Sequence, residues 1–156
     1  MTGSASLSEG LGVLHLFLKL TPLADRDEVL AAFDSAKSRE TQVVTVSMLG
    51  HKADIAVMGL NADLWALRSL QTDLMTAGLE LVDSYLSITE LSEYAAGLPD
   101  HMKSDRLYPQ LPPEGKEAWC FYPMSKRRNS AENWFTLPFE QRRDLMFEHG
   151  AARREA

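Results

Sequence analysis

Two hydrophobic periodicities alternate along residues 10–92, and their order restricts the possible folds more than any other feature of the sequence. Val13–Thr21 alternates apolar and polar residues, which is typical of a half-buried strand. Three further segments have strand character: Gln42–Leu49, Asp54–Leu60 and Leu79–Leu91. Apolar residues recur at helical spacing after two capping residues, Asp25 and Asn61. The sequence therefore predicts the order β-α-β-β-α-β.

This order is that of a ferredoxin-like α+β domain, an antiparallel sheet with both helices on one face. In the first strand, alternation places Leu14, Leu16, Leu18 and Leu20 on one face, whereas His15 is expected on the other, outer face, exposed to solvent. We expect residues 1–9 to form a flexible tail, residues 10–92 the domain and residues 93–115, rich in proline, an irregular connector. Residues 116–156 then begin a second β-α pair.

Composition excludes several classes of function. The net charge of −6 at pH 7 argues against a nucleic acid partner, although cations cluster in the last third of the chain. A single cysteine, Cys120, excludes an intrachain disulfide and is compatible with a reducing compartment. The first residues lack the pattern of a signal peptide, and no apolar run is long enough to span a membrane. These features predict a cytoplasmic protein.

The segment Glu117–Lys126 carries the most distinctive chemistry, and its alternation predicts a strand. Residues of one face include Tyr122, Met124 and Lys126, with Trp119 and Phe121 on the other. A phenol that can be oxidised, a soft thioether and a cation on one face suit a large, anionic, redox-active ligand.

The next segment predicts a helix, Leu137–His149, that begins after Thr136 and ends at Gly150. His149 shares the apolar face of this helix with Leu145 and Met146. A lone histidine on an apolar face is more often a core residue than a ligand. Opposite a strand with tyrosine, methionine and lysine, however, it becomes a candidate axial ligand to a haem iron.

These motifs resemble the chlorite dismutase-like haem proteins over nearly the whole chain, from about Gly10 to Gly150. The matching elements are Tyr122-Pro-Met-Ser-Lys126-Arg-Arg128, Asn133-Trp-Phe135, Arg142-Arg143 and Met146-Phe-Glu-His149-Gly150. The form Tyr-Pro-Met-Ser-Lys resembles the coproheme decarboxylase branch of that family, as do Ser92-Glu-Tyr94 and Arg106-Leu-Tyr-Pro109. That branch uses iron-coproporphyrin III (coproheme) as both cofactor and substrate. It converts two of the four propionates to vinyl groups with hydrogen peroxide, which yields haem b.

The resemblance implies a role for each matching residue. Tyr122 would form the radical that removes a hydrogen atom from a propionate, and Lys126 would pair with a reacting propionate. Arg106 and Arg154 would hold propionates by charge-assisted hydrogen bonds. Met124 would line the edge of the substrate, and His149 at the predicted helix end would be the proximal ligand of the iron. By contrast, Trp134 and Phe135 are expected to serve packing.

The resemblance also implies two ferredoxin-like repeats, as in a dimeric α/β barrel, and a homo-oligomer, typically a pentamer. The sequence contains the first repeat and only the opening β-α pair of the second. This predicts a truncated chain or one that another polypeptide completes, with a naturally half-sized relative as the third alternative.

Other functions remain open at this point. The same fold serves chlorite dismutases and peroxidase-like haem proteins, and the resemblance implies that the distal residues that would separate them lie beyond Ala156. A non-catalytic haem-binding fragment, or a ferredoxin-like dimerisation domain with a basic tail, would also fit the pattern.

Overall fold

A computed structural model describes residues 5–50, 52–131 and 133–155, with side chains described as far as residue 151. The chain forms two units, one that ends at Glu117 and one that begins at Ala118. Each unit has its own elements. Within the part of the chain that the structure describes, no helix has the length and apolar character needed to cross a membrane.

The first unit contains the predicted α+β domain. Its elements are β1 (Gly12–Lys19), α1 (Arg26–Ser38), β2 (Gln42–Ser47), β3 (Ile55–Asn61), α2 (Leu64–Thr76) and β4 (Glu80–Ile88). The strands form one antiparallel sheet in the order β2-β3-β1-β4. This order places β3 and β1 in the centre of the sheet. The connection from β1 through α1 to β2 crosses β3, and the connection from β3 through α2 to β4 crosses β1. The ferredoxin-like fold class is therefore confirmed.

The core lies between the sheet and the two helices. Its fully buried residues combine the even positions of β1 with one stripe of α2: Leu16, Leu18, Leu67, Leu70 and Leu74. Burying each of these leucines contributes roughly 1.5–3 kcal/mol to folding. Gly59 permits the close approach of α2, because a Cβ atom there would lie 2.9 Å from Leu70 Cδ2.

The outer face of the sheet is less exposed than the sequence indicates. His15 is half-buried rather than solvent-exposed, and this burial lowers the pKa of its imidazole, an effect that a backbone hydrogen bond with Tyr85 partly opposes. On the same face, the side chain of Leu60 is only 1% exposed to solvent. The residue paired with Leu60 in β2 is Gln42, whose side chain is hydrogen-bonded to Pro109 and Leu111. The connector thus lies against this end of the outer face.

The connector, expected to be irregular, contains a helix, α3 (Asp100–Leu107). A short 3-10 helix, Glu93–Ala95, precedes it. α3 carries mostly charged and polar residues between Pro99 and Pro109, so it lacks the apolar periodicity by which the other helices are predicted. It is fixed to the sheet mainly by hydrogen bonds at its C-terminal end.

Residues 5–7, part of the expected tail, pair with the junction between β3 and α2. Leu7 N donates to Ala62 O at 2.9 Å, and Leu64 N donates to Ala5 O at 3.3 Å. Residues 1–4 lie outside the described part of the chain.

The second unit differs from the prediction in two ways. Glu117–Lys126 is not a strand, because no described residue forms a ladder with it. The helix α4 (Phe139–Glu155) does not end at Gly150 but continues through it. A glycine ends a helix only where it turns into the left-handed region, and Gly150 does not have a positive φ. Inside the helix it lowers stability by about 1 kcal/mol without breaking it.

Candidate functional site

Residues 119–124 keep the predicted separation of faces although they form no strand. The rings of Trp119 and Phe121 are half-buried and stack with centroids 5.7 Å apart and planes 10° apart. Tyr122 and Met124, by contrast, are 57% and 70% exposed. Side chains two residues apart in an extended chain point the same way, which explains both observations. The phenol and the thioether are therefore open to solvent or to a ligand.

Lys126 has the best-defined environment of the predicted site residues. Its Nζ atom lies 4.1 Å from the centroid of the Trp134 ring and donates to Met146 Sδ at 3.5 Å. An aromatic face and a thioether both attract an ammonium group, but neither carries a charge that would neutralise it. No carboxylate among the residues that the structure describes pairs with Lys126. Its positive charge is held in place while remaining available to an anion.

A tight turn brings Trp134 to Lys126. Trp134 N donates to Arg127 O at 3.0 Å, and the side chain of Asn133 caps the next turn by accepting from Phe135 N at 3.1 Å. The guanidinium carbon of Arg128 lies 4.1 Å from the centroid of the Phe135 ring. Both aromatic rings therefore hold cations, a role that differs from the packing expected of Trp134 and Phe135. The sequence signal for this role is that each cation precedes an aromatic residue by seven or eight positions, with a turn between them.

An open cavity of about 560 Å³ lies beside this turn. Its polar walls carry two cations and several hydroxyl and amide groups, from Ser125, Lys126, Arg127, Ser130, Asn133 and Thr136. None of the described lining residues has a carboxylate. Its apolar walls are Ala131, Trp134, Leu137 and Leu145. This combination suits an anionic group attached to an apolar body.

His149 lies on α4 three residues after Met146, so the two side chains share a face of the helix. Because Lys126 reaches Met146, Lys126 and His149 lie on the same side of α4. The imidazole is exposed, and none of the described groups is hydrogen-bonded to it. The expectation that His149 stands at the helix end is wrong, since α4 extends to Glu155.

The other predicted residues are not joined to this group by any contact among the described residues. Arg106 belongs to the first unit, in the last turn of α3, where it is exposed and has no described ion-pair partner. The side chain of Arg154 lies outside the described residues. Tyr122 and Met124 are exposed, without a described contact to Lys126 or His149. No group of three or more His, Cys, Asp or Glu side chains in the described ranges could hold a metal ion.

The sheet order and the helix arrangement define an α+β protein of the ferredoxin-like type. The chain belongs to the chlorite dismutase family, whose sequence profile matches residues 23–155. A solved structure described as a novel heme-binding protein from Thermus thermophilus is similar, with 28% sequence identity and a TM-score of 0.75. The match covers 98% of this chain and 69% of the Thermus chain.

Proposed function

We propose that this chain binds coproheme and acts as a coproheme decarboxylase that uses hydrogen peroxide. The observation that carries the proposal is the Lys126 ammonium group, fixed by Trp134 and Met146 without a described counter-ion, on the side of α4 that bears His149. Three further points support it. These are the membership of the chlorite dismutase family, the haem-binding description of the Thermus protein and the motif Tyr122-Pro-Met-Ser-Lys126.

The residues present fit an iron porphyrin with carboxylate arms. The exposed imidazole of His149 would be the one protein ligand to the iron, and Lys126 would pair with a propionate. The cavity beside Lys126 offers donors for a carboxylate and apolar walls for the carbon skeleton that carries it. When bound, the iron porphyrin supplies the site at which peroxide is reduced.

Tyr122 would perform the step at the propionate. Its phenol would give up an electron and a proton to the peroxide-derived oxidant, and the phenoxyl radical would take a hydrogen atom from the β-carbon, which restores the phenol. The same oxidant would accept a second electron from the substrate, whereupon the bond between the α-carbon and the carboxylate breaks and carbon dioxide leaves. Each propionic acid group and one hydrogen peroxide thus yield a vinyl group, carbon dioxide and two waters. Lys126 would neutralise and orient the carboxylate that is lost.

Two other functions have an observation in their favour. The family match is also compatible with chlorite dismutase chemistry, and the description of the Thermus protein with haem binding without turnover. A decarboxylated porphyrin distinguishes the decarboxylase from the other two functions, and oxygen evolution from chlorite distinguishes those two from each other.

Mass spectrometry of the porphyrin tests the proposal directly. The protein is mixed with ferric coproheme, hydrogen peroxide is titrated in, and the extracted porphyrin is weighed. Stepwise loss of two carboxyl groups is expected. Coproheme that binds and returns unchanged would overturn the decarboxylase assignment, and oxygen evolution from chlorite under the same conditions would favour the dismutase.

Replacing Lys126 with glutamine tests the cation. We expect the affinity for coproheme to fall by about 3- to 10-fold, the lower range for a charge-assisted hydrogen bond at an exposed position. Titration of the Soret band measures the affinity. The matched control is Lys116→Gln, which removes an exposed cation from the first unit and should change the affinity by less than about 1.5-fold. Equal affinities of the two variants would contradict the role of Lys126.

A further inference from the structure

We propose that Lys126 protects the indole ring of Trp134 from oxidation, so that the radical of the proposed mechanism remains on Tyr122. The inference deepens the proposed function and rests on it, because decarboxylation brings a strong oxidant to this segment of the chain. The protection itself depends on the described contact between the Lys126 ammonium group and the Trp134 ring. Lys126, Trp134 and Tyr122 all belong to the second unit.

The ammonium group of Lys126 is held over the face of the indole ring. Its Nζ atom lies 4.1 Å from the centroid of the Trp134 ring and donates to Met146 Sδ at 3.5 Å. None of the described carboxylates forms an ion pair with Lys126, so no described group neutralises the charge next to the ring. Trp134 is half-buried, and water therefore screens this charge less than it would at an open surface.

Loss of an electron from the ring reverses the sign of this interaction. The neutral indole attracts a cation, because the face of its π-system is negative. An indole that has lost one electron carries a positive charge, which the ammonium group 4.1 Å away repels. At this separation, the repulsion between two unit charges corresponds to a factor of about 5 in an equilibrium constant even with the dielectric constant of bulk water. Lys126 therefore stabilises the neutral ring and destabilises the oxidised one.

Oxidation of Tyr122 does not meet the same opposition. The phenol loses its electron and its proton together, so the resulting phenoxyl radical is uncharged. Tyr122 is 57% exposed, which allows the proton to pass to water, and it has no described contact with Lys126. A radical generated in this segment is thus directed to Tyr122 and away from Trp134. Because Trp134 lines the cavity beside Lys126, its protection also preserves the walls of the site.

Oxidation of the porphyrin-free chain by hexachloroiridate(IV) tests the protection apart from any haem chemistry. Two of these ions each take one electron from an indole, water supplies an oxygen atom and two protons are released, so the oxidised tryptophan is one oxygen atom heavier. Trypsin yields Trp134 in the peptide Asn129–Arg142, which contains no other tryptophan and no tyrosine, methionine or cysteine. The oxidant is an anion that Lys126 attracts, so a low oxidation of Trp134 reflects the ring and not exclusion of the oxidant.

Trp119 is the internal reference in the same digest, with tandem mass spectrometry to locate the added oxygen. It too is half-buried, and its described ring neighbour is the neutral Phe121, with which it stacks. Replacing Lys126 with methionine keeps an unbranched side chain of similar length but removes its charge. We expect the ratio of oxidised Trp134 to oxidised Trp119 to rise by at least about 5-fold in this variant.

Two further variants separate the charge of Lys126 from its shape and from the general charge of the segment. Lys126→Arg keeps a cation and should leave the ratio within about 1.5-fold of that in the unmodified chain. Arg128→Gln removes the cation over the neighbouring Phe135 ring and should also leave the ratio unchanged. An unchanged ratio in Lys126→Met would overturn the inference. A rise of the same size in Lys126→Arg or in Arg128→Gln would overturn it as well.

Turnover shows whether the protection operates in the proposed reaction. With ferric coproheme and hydrogen peroxide, Lys126→Met should accumulate at least about 5-fold more oxidised Trp134 per peroxide consumed than the unmodified chain. Equal oxidation of Trp134 in the two proteins would overturn the role of Lys126 in keeping the radical on Tyr122, while the proposed function stands. If the unmodified chain binds no coproheme, the proposed function fails and this role fails with it, whereas the result with hexachloroiridate(IV) still decides whether Lys126 protects the ring.

Discussion

Replacing Tyr122 with phenylalanine should abolish the decarboxylation of coproheme while leaving its binding within about twofold of the unmodified protein. Phenylalanine keeps the ring but has no O–H bond, so it cannot exchange a hydrogen atom with the propionate. The expected loss of rate is at least about 10²-fold, the lower end of what a positioned proton-transfer group contributes. The fold should be unaffected, because the side chain is 57% exposed and its hydroxyl has no hydrogen-bond partner among the described residues.

Two measurements on the Tyr122→Phe protein keep binding and chemistry apart. Soret titration gives the affinity for coproheme, and mass spectrometry after peroxide addition gives the products. Tyr85→Phe is the matched control, since Tyr85 is also about half exposed but lies on the outer face of the sheet in the first unit. Product formation at the unmodified rate by Tyr122→Phe would rule out a radical on this residue.

The fold of the first unit could be predicted because its core is encoded by local periodicity. Leu14, Leu16 and Leu18 alternate within one strand, and the leucines of α2 recur at helical spacing, so each element reveals its buried face by itself. For elements in this order, few arrangements bury the apolar face of the sheet together with the apolar faces of the helices. The exposure of outer-face residues depends instead on what packs against them, which local periodicity does not encode. His15, expected to be exposed to solvent, is half-buried.

The second unit shows what periodicity does not determine. Alternation over Glu117–Lys126 gave the correct sides for Trp119 and Tyr122 but not a strand, because a strand also needs a neighbour to bond to. Gly150 marked a helix end by residue type alone. Whether glycine ends a helix depends on the backbone conformation that the following residues adopt, and these continue α4.

The candidate site was predictable as a set of residues but not as an arrangement. The resemblance named Lys126 and His149, yet the contacts of Lys126 with Trp134 and Met146 depend on a turn whose hydrogen bonds join residues several positions apart. Trp134 was expected only to pack. Aromatic side chains are usually packing residues, so their role as a cation support becomes visible only when the cation is located.

Replacing His149 with alanine should remove the protein ligand of the iron without disturbing the fold. The imidazole is exposed and has no described hydrogen-bond partner, and alanine favours a helix by several tenths of a kcal/mol relative to histidine. The thermal midpoint of the ligand-free protein should therefore stay the same or rise slightly. The affinity for ferric coproheme should fall by at least about 10-fold, since losing even an outer-shell partner of a metal ligand costs that much.

The spectrum of the bound coproheme makes this prediction specific to iron ligation. In His149→Ala the Soret band should shift, and free imidazole added to the solution should restore the position seen in the unmodified protein. His101→Ala provides the matched control, because His101 is an exposed histidine on another helix, α3, and should leave spectrum and affinity unchanged. A lower affinity with an unshifted Soret band would mean that His149 contacts the ligand without binding its iron. An unchanged spectrum and affinity would show that the ligand of the iron is another residue.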